Sequence, residues 1–183
     1  MAITYHRPNT STTYRDCSLF TAQAGLEEAG LLHARTLAPE WFPQSGVQLT
    51  WPHAGTDWAY MLPEVTECYL RLAYEIAIRE TLLIVAPDVA AVKALLDEKL
   101  PRRAPENILL HPCGTNDTWA RDHGFLSVVS SEGTELLDFR FNGWGGKFAA
   151  EKDNAINARL RGLLQGKYVD CLDFELEGGG IET

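Results

Sequence analysis

The chain has 183 residues, of which 45% are hydrophobic and 22% are charged, and such values are typical of a folded domain. Acidic residues outnumber basic ones by 25 to 16, and the net charge of −9 argues against a nucleic-acid-binding protein, whose affinity depends on neutralising phosphates. No apolar run approaches the roughly 18 residues that span a membrane, and no signal peptide opens the chain. We therefore expect a cytoplasmic protein without membrane contact.

Residues 1–36 read differently from the rest of the chain. The stretch through Arg15 is polar, and residues 17–32 could form a short helix but lack a strong cap. We predict an N-terminal extension of uncertain structure over 1–36, followed by one domain over 37–183.

From Pro39 onward, segments with the two-residue period of strands alternate with segments of helical period. Predicted strands cover 47–51, 82–85, 108–110, 125–129, 134–141 and 168–176, and predicted helices cover 63–79, 89–99 and 151–164. Asp88 is a good N-cap for the second helix. The strands at 125–129 and 134–141 read as a hairpin through Ser131-Glu132-Gly133. This order predicts an α/β fold with some antiparallel pairing.

Four cysteines, Cys17, Cys68, Cys113 and Cys171, are widely spaced and form no Cys-x-x-Cys pair. That spacing fits neither a zinc site nor a dense disulfide framework. We expect reduced and mostly buried thiols.

Three loop segments place a carboxylate or a tryptophan beside glycines, namely Asn116–Gly124, Phe141–Lys147 and Leu176–Gly180. The predicted motif loops follow the carboxyl ends of strands, where α/β sheets usually bind ligands. A guanidinium group offers five N–H donors in one plane, which carboxylates meet edge-on and an aromatic ring can cover. The segments therefore favour a site for a planar organic cation.

Each residue of these segments also has a purely structural interpretation. Asp122 could pair with Arg121 at the surface or cap a local turn, and Trp119 and Trp144 could be packing anchors. The glycines after Glu177 indicate a close approach of other atoms, a backbone with positive φ, or a flexible turn. His53 and His123 also lie in motif loops, but such histidines more often satisfy backbone carbonyls, and we nominate neither as catalytic.

Together, the segments resemble the agmatine deiminase family, which includes bacterial peptidyl-arginine deiminases. The resemblance covers residues 37–183, the N-terminal half of a family chain. Its motifs, in chain order, are Pro39-Glu40-Trp41, Trp51-Pro52-His53, Asn116–Asp122, Phe141–Gly146 and Leu176–Gly179.

The resemblance implies an α/β propeller of ββαβ modules, here partial, and hydrolysis of a guanidine without metal or other cofactor. In the family, a cysteine thiolate attacks the guanidinium carbon and a histidine protonates the departing ammonia. By motif, Asp122 is the carboxylate that holds the guanidinium, Glu177 is the acidic residue beside the catalytic histidine, and Trp119 lines the site.

The family's catalytic histidine and nucleophilic cysteine correspond to positions beyond Thr183, and no cysteine of this chain matches the nucleophile's motif. We therefore expect an inactive, truncated form of an enzyme that converts agmatine to N-carbamoylputrescine and ammonia, a step of putrescine biosynthesis. Peptidyl or free arginine are alternative substrates. A non-catalytic module that binds a guanidinium or amine, or that self-associates through exposed propeller edges, is the second hypothesis.

Overall fold

The computed structural model describes residues 35–101 and 105–182, which form a mixed α/β fold as predicted. The strands of the described residues are Thr36–Leu37 (β1), Gly46–Thr50 (β2), Thr81–Ala86 (β3), Ile108–Pro112 (β4), Leu126–Ser130 (β5), Gly133–Arg140 (β6) and Lys167–Glu175 (β7). One sheet has the order β2-β3-β4 and is wholly parallel. The other has the order β1-β5-β6-β7, in which only the β6–β7 pair is parallel.

Three helices of two or more turns lie in the described ranges: Leu62–Ala77 (α1), Val89–Lys99 (α2) and Glu151–Leu160 (α3). The predicted cap of α2 is confirmed, because Asp88 Oδ1 accepts a hydrogen bond of 2.9 Å from the Ala91 N–H. Helix α3 ends at Leu160, before the predicted end at residue 164, and the chain continues in a turn that contains Gly162. Glycine is a weak helix former, which accounts for the early end.

The predicted N-terminal extension overlaps the described residues only at Arg35 and Thr36. Residues 1–34 lie outside the described residues, so the predicted extension stays a prediction there. Thr36, in contrast, belongs to β1 and pairs with Val129 of β5.

Strand β3 joins the two halves of the hydrophobic core. Leu82 and Ile84 point into a cluster formed with α1 and α2, whereas Leu83 and Val85 point into a second cluster. The second cluster includes Phe125 beside the hairpin, Leu136 of β6, and Ile156 and Leu160 of α3. All six residues of β3 are buried, as expected for a central parallel strand covered on both faces.

The parallel sheet places two loops side by side. Strand β2 leads into the loop at 51–57, and β4 leads into the motif loop at 113–119. The carboxyl ends of parallel strands lie at one edge of a sheet, and ligand sites of α/β folds are found there. No helix in the described parts of the chain is both long enough and apolar enough to cross a membrane.

Candidate guanidinium site

The helical turn Ala120–His123 packs against the turn Gly178–Gly180. Arg121 Nε donates to the carbonyl of Gly178 at 3.1 Å, and Arg121 Nη2 donates to the carbonyl of Ile181 at 3.0 Å. The carboxylate of Asp122 packs against Gly179, whose backbone N–H favours the charged form of this carboxylate. Arg121 therefore fastens the segment that follows Glu177, and Asp122 packs against the same segment.

Close packing explains the glycines after Glu177. A Cβ atom at Gly178 would lie 2.2 Å from the carbonyl oxygen of Arg121, and one at Gly179 would lie 2.5 Å from Asp122 Oδ1. Neither glycine has a positive φ. Of the interpretations considered from the sequence, the close approach of other atoms is the correct one at these two positions.

Asp122 is half-buried, and burial raises the pKa of its carboxyl group, opposed by the Gly179 N–H and the nearby charge of Arg121. Arg121 directs two of its donors to main-chain carbonyls, and its carboxylate neighbour within 4.0 Å is Glu40. The alternative of a simple surface pair between Arg121 and Asp122 therefore does not describe this turn. A carboxylate that is partly desolvated gains more from a bound cation than one in bulk water does.

Glu177 is half-buried and lines a cavity of about 380 Å³ together with Trp144 and Gly180. On another wall, Glu175 accepts from the amide of Asn142 at 2.8 Å and pairs with Arg140 at 3.0 Å. The carboxylate of Glu175 is thereby engaged with its neighbours, and Glu177 is the second carboxylate of the cavity.

Residues 143–146 form a single left-handed turn, which the sequence indicated only as a glycine turn. Gly143, Trp144, Gly145 and Gly146 have φ values of 65°, 55°, 79° and 77°. The Gly146 N–H donates to the carbonyl of Asn142 at 2.8 Å. Trp144 is the one non-glycine residue with positive φ among the described residues, a conformation that costs about 1–2 kcal/mol for an L-residue.

The turn places the Trp144 indole at the centre of an aromatic cluster. Its ring lies edge-on to Phe141, Phe148 and Trp119, with centroid separations of 5.0, 5.4 and 5.5 Å. Such contacts stabilise by about 0.5–1.5 kcal/mol each beyond area burial, enough to offset the backbone strain. Trp144 and Trp119 are thus packing anchors, as the structural interpretation proposed, and they also form cavity walls.

Of the three predicted site residues, Trp119 and Asp122 lie in one turn, and Glu177 lies beside the adjacent turn at 178–180. The Asp122 N–H donates to the carbonyl of Trp119 at 3.0 Å, and Glu177 precedes the turn against which Asp122 packs. Trp119 and Glu177 line different cavities: Trp119 faces a smaller one, of about 170 Å³, that also includes Asp117 and Asp153. Trp144 lines both the cavity of Glu177 and the cavity of Trp119.

Both histidines of the motif loops contact nearby groups of the protein. His53 Nδ1 accepts from the Gly55 N–H at 3.0 Å, so the proton is on Nε2, which lies 2.9 Å from the hydroxyl of Thr115. His123 is 1% exposed, and burial lowers its pKa to about 4, so its ring is neutral near pH 7. Its Nε2 atom lies 3.4 Å from the hydroxyl of Thr50.

The cysteines within the described residues are unpaired thiols. Burial raises the pKa of Cys113 and of Cys171, and Cys68 is exposed on α1. Reactive cysteines have a lowered pKa, because the thiolate is the nucleophile. The surroundings of Cys113 and Cys171 therefore disfavour the reactive form.

The sequence pattern did not indicate the polar side chains that hold the motif loop, chiefly those of Asn116, Asp117 and Asp153. Asp153 and Asp117 are buried. The available signal was the position of Asp153 in the first turn of a predicted helix, where carboxylates meet unpaired N–H groups. Nothing in the local pattern linked this helix to the motif loop.

Comparison with known proteins places these features in one family. The sequence pattern of the Porphyromonas-type peptidyl-arginine deiminases matches residues 36–183. The chain belongs to this family. The matched range includes Trp119, Asp122 and Glu177, so all three predicted residues lie within the Porphyromonas-type deiminase region.

Solved structures and curated proteins agree with this assignment. A crystal structure of a proposed arginine deiminase from Porphyromonas gingivalis is 45% identical, with a TM-score of 0.72, over 82% of this chain and 44% of that one. A Cys-to-Ser variant of C. jejuni agmatine deiminase with substrate bound is 34% identical, with a TM-score of 0.70, over 82% and 43%. A proposed agmatine deiminase from Selenomonas ruminantium is 29% identical over 79% of this chain. The chain spans 40% of that relative's length.

Proposed function

We propose that this chain is the guanidinium-holding part of an agmatine deiminase-type hydrolase with an α/β-propeller fold. The observation that carries the proposal is the close packing of the Asp122 carboxylate against Gly179, two residues after Glu177. This contact joins the segments of Asp122 and Glu177, which are 55 residues apart in sequence. Relatives over the same region include proteins named as agmatine deiminases, which supports agmatine as the substrate, and others named for arginine or peptidyl arginine, which are the alternative substrates.

Each predicted residue then has a chemical role. Asp122 pairs with the guanidinium N–H groups, because a planar cation is best met by a carboxylate in its own plane. Trp119 covers the alkyl chain or the cation face, and Glu177 orients the histidine that protonates the departing ammonia. In the complete reaction, water replaces one guanidinium nitrogen, which gives N-carbamoylputrescine and ammonia.

Binding by the chain itself tests the role of Asp122. We expect agmatine to bind the wild-type chain, and Asp122→Asn to weaken binding by on the order of 3 kcal/mol, because the ion pair of a partly desolvated carboxylate is lost. Calorimetric titration with agmatine and with putrescine, which lacks the guanidinium, separates recognition of the headgroup from attraction of a simple amine.

Asp97→Asn is the matched control, since Asp97 is an exposed carboxylate paired with Lys93 on α2. This variant should bind agmatine as the wild type does. Equal agmatine affinities of the Asp122→Asn and wild-type chains would overturn the role of Asp122.

The thiols favour a second candidate, a chain that binds a guanidine or amine without cleaving it. The pKa of Cys113 and that of Cys171 are raised by burial, which disfavours the thiolate needed for covalent catalysis. We expect the isolated chain to release no ammonia from agmatine above a Glu177→Ala control. Ammonia release that depends on Glu177 would exclude the binding-only candidate.

A further inference from the structure

We propose that Asp153 is a positioning residue that sets the motif loop at 115–118 and, through it, Trp119 and Asp122. Asp153 lies in the first turn of α3 and is 1% exposed. Its carboxylate accepts from the N–H of Asn116 at 2.7 Å and from the N–H of Asp117 at 3.2 Å. The proposal rests on the proposed function for what the loop presents to a ligand.

The link between the loop and the helix is reciprocal. Asn116 Oδ1 accepts from the N–H of Lys152 at 2.7 Å and from the N–H of Asp153 at 3.3 Å. The first N–H groups of a helix have no hydrogen-bond partner inside the helix. The methyl side chain of the N-cap residue Ala150 cannot accept a hydrogen bond from them. Asn116 therefore accepts hydrogen bonds from the first N–H groups of α3, while Asp153 accepts hydrogen bonds from two N–H groups of the loop.

The opposite side of the loop is fastened to the segment at 53–58. Asp117 Oδ2 accepts from the N–H of Asp57 at 3.1 Å, and the hydroxyl of Thr118 accepts from the indole N–H of Trp58 at 2.9 Å. The His53–Thr115 contact is a third connection. The loop is thus held between two supports, and the chain leaves it directly into Trp119 and Asp122.

The direction of the Asp153 carboxylate distinguishes positioning from ordinary helix capping. In a capping box, the acid in the third helical position accepts from the N–H of the N-cap residue of its own helix. Asp153 occupies that position but accepts from two N–H groups of the loop. Its carboxylate therefore acts on a segment 36 to 37 residues away in sequence.

Hydrogen exchange measured by mass spectrometry on the 183-residue chain tests the proposal. Asp153→Asn keeps the size of the side chain but removes its charge and one acceptor, and Asn116→Ala removes the other half of the link. Either variant should speed exchange in peptides covering 113–124 by about tenfold, with little change in β3, because a local support is lost. Asp170→Asn is the control, since Asp170 also accepts from a backbone N–H, that of Leu172, but is an exposed residue of β7.

Agmatine titration of the same variants completes the test. If Asp153 positions the ligand-holding turn, Asp153→Asn should weaken agmatine binding about tenfold although it is not expected to touch the ligand. Uniform acceleration of exchange throughout the chain, or no acceleration, would overturn the positioning role. Selective acceleration with unchanged agmatine affinity would also overturn it. A wild-type chain that fails to bind agmatine contradicts the proposed function, and the exchange result then decides separately whether Asp153 holds the loop.

Discussion

At the scale of single residues, the contact of Arg121 and Asp122 with the glycine run determines how closely the turns at 120–123 and 178–180 pack. The carbonyl oxygen of Arg121 and Oδ1 of Asp122 occupy the space that Cβ atoms at positions 178 and 179 would need. The turn at 120–123 cannot move away without breaking the hydrogen bonds that the Arg121 side chain donates to the carbonyls of Gly178 and Ile181. The glycines are therefore required by packing and not by backbone conformation.

Two neighbouring glycine substitutions separate this packing requirement from a general effect of adding a methyl group. We expect Gly178→Ala to lower the free energy of unfolding by about 1–3 kcal/mol, the usual range for overpacking. Gly180→Ala is the control, since its Cβ would lie 3.8 Å from Glu177 Cγ, an ordinary contact distance. Chemical denaturation followed by circular dichroism measures both. Equal losses of stability in the two variants would contradict the packing argument.

At the scale of elements, the start of α3 and the motif loop stabilise each other, and this contact should respond to pH. Burial raises the pKa of Asp153 from its ordinary value of 3.8 to about 6, with a further increase from the charge of Asp117. The N–H groups of Asn116 and Asp117 and the charge of Lys152 oppose that increase.

The sign of the pH effect follows from proton binding. Between about pH 4 and pH 6, the folded chain holds a proton on Asp153 that the unfolded chain has lost, so the contribution of this residue to stability falls as pH rises. The contribution is fully present below pH 3.8 and is lost as pH passes through about 6.

Comparison of wild type with Asp153→Asn isolates the titration of this residue, because the other carboxyl groups are common to both proteins. The difference in free energy of unfolding, wild type minus variant, should decrease from pH 4 to pH 6 and then level off. Urea denaturation at pH intervals across this range measures the difference. A difference that is constant or rises with pH would show that Asp153 does not titrate in this way.

At the scale of the whole molecule, the two sheets share one core through β3 and α3. Ile156 of α3 is fully buried in the cluster that contains Leu83 and Val85 of β3 and Leu136 of β6. A substitution that leaves a cavity at Ile156 should therefore destabilise the parallel sheet and the mixed sheet together.

We expect Ile156→Ala to destabilise the chain by about 2–5 kcal/mol and Ile156→Val by about 0.5–1.5 kcal/mol. The unfolding transitions followed by tryptophan fluorescence and by circular dichroism should move together, because the affected core is common to both sheets. Separation of the two transitions in Ile156→Ala would indicate that the sheets unfold independently.

Local patterns determined the mixed α/β character, most helix and strand positions and the cap at Asp88, because these features depend on neighbouring residues in the chain. The motif segments also led to the family and to Asp122, Trp119 and Glu177 as candidate residues, whose roles stay proposals. Only the tertiary structure decided why Gly178 and Gly179 are glycines, why Trp144 has a left-handed backbone, and which residues hold the motif loop. These features depend on contacts between atoms far apart in sequence, such as the 57-residue separation of Arg121 and Gly178, and no short-range periodicity records them.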